Sequence, residues 1–165
     1  MFVALCRQPH GRNVDVVALP VLCATGLTSY PINRMSSTQE LNVRIGQDVF
    51  IIGYPFGLSL AGGLPVWKRA SVATEPAFDL GRLPKLMIDT ASRSGMSGSP
   101  VVRRQYGQYQ AEDGGFVVTT GAATKLLGVY SGRICADDEL KAQLGIVWKA
   151  DVIEEIISQG VRGSR

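Results

Sequence analysis

Histidine is nearly missing from this chain: His10 is the single one among 165 residues. With so little imidazole, and with Cys6, Cys23 and Cys135 at no ligand spacing, no zinc donor set can be assembled from neighbouring residues. No glycine-rich phosphate loop leads into a helix and no acid-rich calcium loop is present, so neither cofactor nor metal is expected. Three cysteines cannot all pair within one chain, and they read as small buried hydrophobes. Charge is also sparse, at 19% of residues with a net of +3. The basic residues are scattered apart from Arg103 with Arg104 and a tail holding Arg162 and Arg165, so no nucleic-acid partner is expected. Long hydrophobic runs are lacking too: Asp15, Arg44, Asp48 or a glycine interrupts each stretch well before the roughly 18 residues a membrane helix needs. A soluble chain without a membrane span is expected. The opening MetPheValAlaLeuCys has no basic leader and too short an apolar core for a secretory signal, and it reads as a strand entered midway.

What the chain does contain is apolar residue content, 45%, cut into short pieces by 19 glycines and 8 prolines. Strand-sized segments, many of them β-branched, fall at 2–6, 14–19, 49–52, 86–89, 101–103, 116–119, 126–131 and 145–149. Between them stand turn-forming clusters at 53–57, 61–65 and 112–115. One helix is expected at the end, where Asp151 caps, Glu154 completes a capping box, and Val152, Ile153, Ile156 and Ile157 form an apolar stripe that Gly160 stops. Residues 11–13 and 25–39 look linker-like. The pattern predicts a mostly antiparallel all-β barrel or sandwich with a C-terminal α-helix.

The stretch SerGlyMetSerGlySerPro at 94–100 carries the chemistry. Acyl transfer needs a nucleophile and, beside it, backbone amides that donate to the oxyanion. Gly95 permits the sharp bend that aims such amides, Ser97 would attack, Gly98 leaves its far side open, and Pro100 starts the next strand. The same composition also describes an ordinary loop. Asp15 is the second conspicuous residue. It lies among Val14, Val16, Val17 and Leu19, where a carboxylate is costly unless something pairs with it.

Four segments, in order, resemble the chymotrypsin-like (trypsin-fold) serine proteases, particularly the bacterial trypsin-like peptidases with GlySerPro after the nucleophile. AsnValAspValValAlaLeuPro at 13–20 is similar to the family's Asp strand, and AspValPheIleIleGlyTyrProPheGly at 48–57 to the start of its second barrel. GlyMetSerGlySerPro at 95–100 resembles its nucleophile loop, and LeuGlyValTyrSerGlyArg at 127–133 the strand beside its specificity pocket. The resemblance implies a trypsin-like double β-barrel, with residues 1–40 a remnant of an incomplete first barrel plus linker, and 41–160 a complete second barrel with the C-terminal helix. It further implies Ser97 as nucleophile, Gly95 as an oxyanion amide, Asp15 as the acid that orients an imidazole, and Ser131 as a hydrogen-bond donor near that carboxylate. Ala91, Ser92 and Ser94 would wall one side of the substrate pocket and Ser131, Gly132 and Arg133 the other. Arg133 at the mouth would favour an acidic side chain or block deep entry, or be a solvated surface charge. The substrate so implied is a protein or peptide.

The family's histidine lies well upstream of the aspartate, and His10 is only five residues before Asp15, roughly 17 Å along an extended chain. His10 is therefore expected to be a surface loop residue, the enzyme to be N-terminally truncated, and the chain as given to be inactive. Apolar residues at 2–22 would then present an exposed edge open to self-association or complementation. Other readings remain. An α/β-hydrolase needs a histidine after the serine, and none follows Ser97. A serine–lysine dyad would need Lys125, Lys141 or Lys149 buried beside Ser97. A catalytically dead protease fold that binds peptides or partner proteins is the alternative of a different class.

Overall fold

Alternation of inward and outward side chains carries this chain around a closed barrel. In the computed structural model residues 6–7, 13–19, 26, 28–35, 41–91, 94–133, 143–159 and 161–162 are described. After the short strand β1 (Cys6–Arg7), strands β2 (Asp48–Gly53), β3 (Val66–Val72), β4 (Lys85–Asp89), β5 (Pro100–Gln110), β6 (Phe116–Arg133) and β7 (Leu144–Lys149) follow. Helix α1 (Ala150–Gln159) comes next, and strand β8 (Val161–Arg162) pairs with β1. Strands β2 to β7 are antiparallel in the order β2-β3-β4-β7-β6-β5, and Phe50 and Ile51 of β2 pair with Val102 and Val101 of β5 to close the ring. The architecture is all-β with a C-terminal helix. Among the described residues, no helix is long and apolar enough to cross a membrane.

The period of two decides what lies inside. Val49 and Ile51, Ala70 and Val72, and Leu86 and Ile88 point inward from β2, β3 and β4, meeting Val101, Leu127, Tyr130 and Val147 in the core. Gly128 allows β6 to approach β7, since a Cβ there would lie 1.7 Å from the Trp148 carbonyl oxygen. The connectivity places the ends of β2, β4 and β6 and the starts of β3, β5 and β7 at one mouth of the barrel.

Several expectations need correction. Residues 13–19 belong to no named strand; instead Val14 packs with Trp148, Val152 and Ile156, and Val16 and Ala18 lie against the same cluster. The segments expected at 116–119 and 126–131 are one strand, because Ala122, Ala123, Thr124 and Lys125 pair with Tyr106, Gln105, Arg104 and Arg103 of β5, the register shifting between that stretch and Val118. Strand β3 is not among the expected segments, since Lys68 and Arg69, one on each face of the strand, dilute its apolar signal. Helix α1 begins at Ala150, so Asp151 sits inside the first turn, where it favours the helix dipole without occupying the cap. Ile157 is 66% exposed, which narrows the expected stripe. The tight turn expected at 112–115 does join β5 to β6, with the Ala111 amide donating to the Gly115 carbonyl at 2.8 Å. The segments at 2–5, 20–25 and 36–40 lie outside the described residues, as do Gly11, Arg12, Cys23 and Cys135.

Candidate active site

The loop at 94–99 crosses the mouth of the barrel, and its residues alternate between anchoring and exposure. Met96 is fully buried in the barrel core, so its neighbour Ser97 is turned outward and exposed. The Ser99 amide donates to the Met96 carbonyl at 3.1 Å, closing a tight turn around Ser97 and Gly98. Gly98 needs its φ of +86° there, a region that costs a side-chain-bearing residue. Two further bonds fasten this end to β6: the Gly98 amide donates to the Tyr130 carbonyl at 2.8 Å, and the Tyr130 amide donates to the Ser99 carbonyl at 2.9 Å. Ser99 itself fits only because residue 53 is glycine, where a Cβ would come within 2.1 Å of the Ser99 Oγ. The other end rests on the turn after β2, where the Phe56 amide donates to the Ser94 carbonyl at 2.9 Å. The amides of Gly95 and Ser97 make no hydrogen bond to another described residue, which leaves them available to an incoming anionic oxygen.

Asp15 reaches the same mouth from the other side. The Ser131 hydroxyl donates to Asp15 Oδ2 at 3.0 Å. Asp15, Ser97, Ser131, Tyr130 and Ile153 line one cleft of about 390 Å³. The burial penalty that singled out Asp15 in the sequence does not arise, because the segment alternates: Val14 is buried, whereas Asp15, Val17 and Leu19 face outward. Gly132 keeps the flank of Ser97 bare, and a Cβ built there would sit 3.5 Å from Ser97 Oγ. Ala91 and Ser94 are exposed on the approach to Ser97. Ser92, His10 and Lys141 lie outside the described residues, and for Arg133 only its place in β6 is described.

Of the lysines a dyad could use, Lys125 and Lys149 are engaged elsewhere. Lys125 is paired with Glu112, and Lys149 donates to Asp79 Oδ1 at 2.7 Å and to the Phe78 carbonyl at 3.0 Å. Lys125 and Lys149 both line a separate cavity of about 720 Å³ with residues 42–45 and 75–77, at the mouth opposite Ser97. Among the described residues, no three histidine, cysteine, aspartate or glutamate side chains are grouped to hold a metal ion. Sequence reasoning missed Met96 as the anchor and the 54–57 turn as the platform; the only available signal was an apolar residue isolated in a glycine and serine loop.

What remains at this mouth is an exposed hydroxyl flanked by two unengaged amides and facing a carboxylate across a cleft, which is the layout for acyl transfer once a base occupies the gap. No curated protein and no solved structure matches the chain. A family profile described as trypsin-like peptidase domain matches residues 3–111, more than half of the chain and inclusive of Asp15 and the whole 94–99 loop. The chain belongs to the trypsin-like peptidase domain family.

Proposed function

We propose that the chain is a serine endopeptidase domain that cleaves peptide bonds through Ser97, and that it works only when an imidazole base enters the cleft between Ser97 and Asp15. The observation that carries this reading is the Ser131–Asp15 bond beside the exposed Ser97: one carboxylate oxygen is held by Ser131, which leaves Oδ1 to orient a base. In the proposed cycle that base takes the Ser97 proton as Oγ attacks the scissile carbonyl. The Gly95 and Ser97 amides donate to the oxyanion, and the base gives its proton to the leaving amine as the C–N bond breaks. Water deprotonated by the same base then hydrolyses the acyl ester, releasing the acid and restoring the Ser97 hydroxyl. Ala91, Ser92 and Ser94 on one side, and Gly132 and Arg133 on the other, receive the side chain preceding the cut.

The test is labelling of Ser97 by a fluorophosphonate, with and without added imidazole, in the intact chain and in Ser97→Ala and Asp15→Ala. Imidazole should accelerate labelling at Ser97, Asp15→Ala should blunt that acceleration, and Ser97→Ala should abolish labelling. A folded chain whose Ser97 reacts no faster with imidazole than a serine in a short peptide would sink the reading. The sequence's lone histidine favours the second reading, a peptide-binding module of the same fold. That reading gains if peptides bind the cleft while Ser97 stays unreactive.

A further inference from the structure

Phe56 is oddly placed on every local criterion. Its side chain is 66% exposed, so packing does not explain a phenylalanine there. Its backbone has φ 55° and ψ 21°, the left-handed region that glycine and asparagine occupy readily and bulky residues seldom do. Pro55 before it, and the Gly57 amide donating to the Tyr54 carbonyl at 2.9 Å, make residues 54–57 a tight turn whose third position demands that positive φ. The connector beyond is braced as well: the Tyr54 hydroxyl donates to the Gly63 carbonyl at 2.8 Å. Strain of this kind persists where surrounding structure over-determines it, and it concentrates at functional sites.

The strained turn faces the nucleophile loop. Its Phe56 amide donates to the Ser94 carbonyl at 2.9 Å, and Gly95 lies so close that a Cβ would stand 3.1 Å from both the Phe56 nitrogen and the Tyr54 carbonyl oxygen. Because the peptide joining Ser94 to Gly95 is planar and trans, its carbonyl and its N–H point in opposite directions. Holding the Ser94 carbonyl against the turn therefore directs the Gly95 N–H away from it. A flipped peptide would lose the Phe56 bond and turn a carbonyl where the oxyanion needs a donor.

We propose that Phe56 is a positioning residue: its left-handed backbone latches the Ser94 carbonyl and so presets the Gly95 amide for the oxyanion. This rests on the reading of Ser97 as nucleophile. The latch resides in the backbone, so variants should rank by tolerance of positive φ and not by hydrophobicity. The experiment is the rate of fluorophosphonate labelling of Ser97 in imidazole for Phe56→Gly, Phe56→Asn, Phe56→Val and Phe56→Pro. Folded fraction is matched by near-ultraviolet circular dichroism, and amide-proton exchange at Phe56 is measured in the unaltered chain. Expected is labelling at least about tenfold slower in the valine and proline variants than in the glycine and asparagine ones, since an oxyanion donor is worth about 10²- to 10³-fold. A protected Phe56 amide is expected in the unaltered chain, and that measurement decides the matter if the valine and proline variants do not fold. Equal rates across the set, a ranking by hydrophobicity, or a freely exchanging Phe56 amide overturns the latch while leaving Ser97 as nucleophile. An unaltered, folded chain that is never labelled removes the nucleophile reading and the latch with it.

Discussion

Truncating Met96 to alanine tests how the loop that carries Ser97 is held. Met96 is fully buried in the barrel core, alongside Val49, Ile51 and Val101. Removing its thioether arm forfeits the transfer free energy of those atoms and leaves a cavity that the rigid strands fill only in part, a loss of about 2–5 kcal/mol for such a change. For a domain of this size each kcal/mol lowers Tm by about 2–4 °C, so a fall of roughly 4–20 °C is expected. The second effect is local. With the anchor gone, the loop keeps its Gly98 and Tyr130 bonds to β6, but the peptide ahead of Ser97 is no longer pulled into the barrel. Ser97 labelling should then slow by more than the folded fraction accounts for. Met96→Leu, nearly the same volume, should cost less than about 1.5 kcal/mol and keep most of the labelling. Urea unfolding monitored by tryptophan fluorescence gives the first quantity and probe labelling the second. A Met96→Ala chain within about 0.5 kcal/mol of the original, the range of ordinary surface substitutions, would refute the anchoring argument.

Three other substitutions follow from the same packing. Gly53→Ala drives a Cβ to 2.1 Å from Ser99 Oγ and should cost about 1–3 kcal/mol, with part recovered in the double variant Gly53→Ala/Ser99→Gly; thermal unfolding of the pair checks this. Ser131→Ala removes the donor 3.0 Å from Asp15 at an exposed position, so Tm should barely move while imidazole-dependent labelling of Ser97 falls; an unchanged labelling rate would separate Ser131 from the site. Arg103 is only 6% exposed and its guanidinium pKa is pushed below the usual value by burial; its Nη2 donates to Gln105 Oε1 at 2.7 Å, but its Nη1 has no hydrogen-bond partner among the described residues. Arg103→Met should therefore raise stability, by about 1 kcal/mol or more, and a less stable variant in urea unfolding would contradict that.

The parts of the fold that the sequence reveals are those where one face of a strand meets the core. Val49 to Ile52, Leu86 to Asp89 and the segment ending at Lys149 are short, nearly continuous apolar runs, and the strands lie within a residue or so of their expected bounds. Strand β3 escapes because Lys68 and Arg69 interrupt the period, with only Ala70 and Val72 buried inside. Strand β6 looks broken in the sequence because Ala122 and Ala123 have little side chain to betray their pairing, and Gly121 falls where the register with β5 shifts. In the site, the glycine-flanked Ser97 stands out by composition alone. Met96 does not, since one apolar residue in a turn has no periodicity, and the Phe56 latch is a backbone bond that no side chain advertises. Asp15 draws attention for a reason that fails, the cost of burial, because the structure turns that carboxylate outward.

The most direct measurement is a crystal structure of the chain with a peptide boronic acid, whose tetrahedral adduct mimics the acyl-transfer intermediate. Boron bonded to Ser97 Oγ, with one boronate oxygen on the Gly95 and Ser97 amides and another facing the cleft toward Asp15, is the predicted result. A boronate bound at another residue, or an adduct on Ser97 whose oxygens turn away from both amides, would contradict the account.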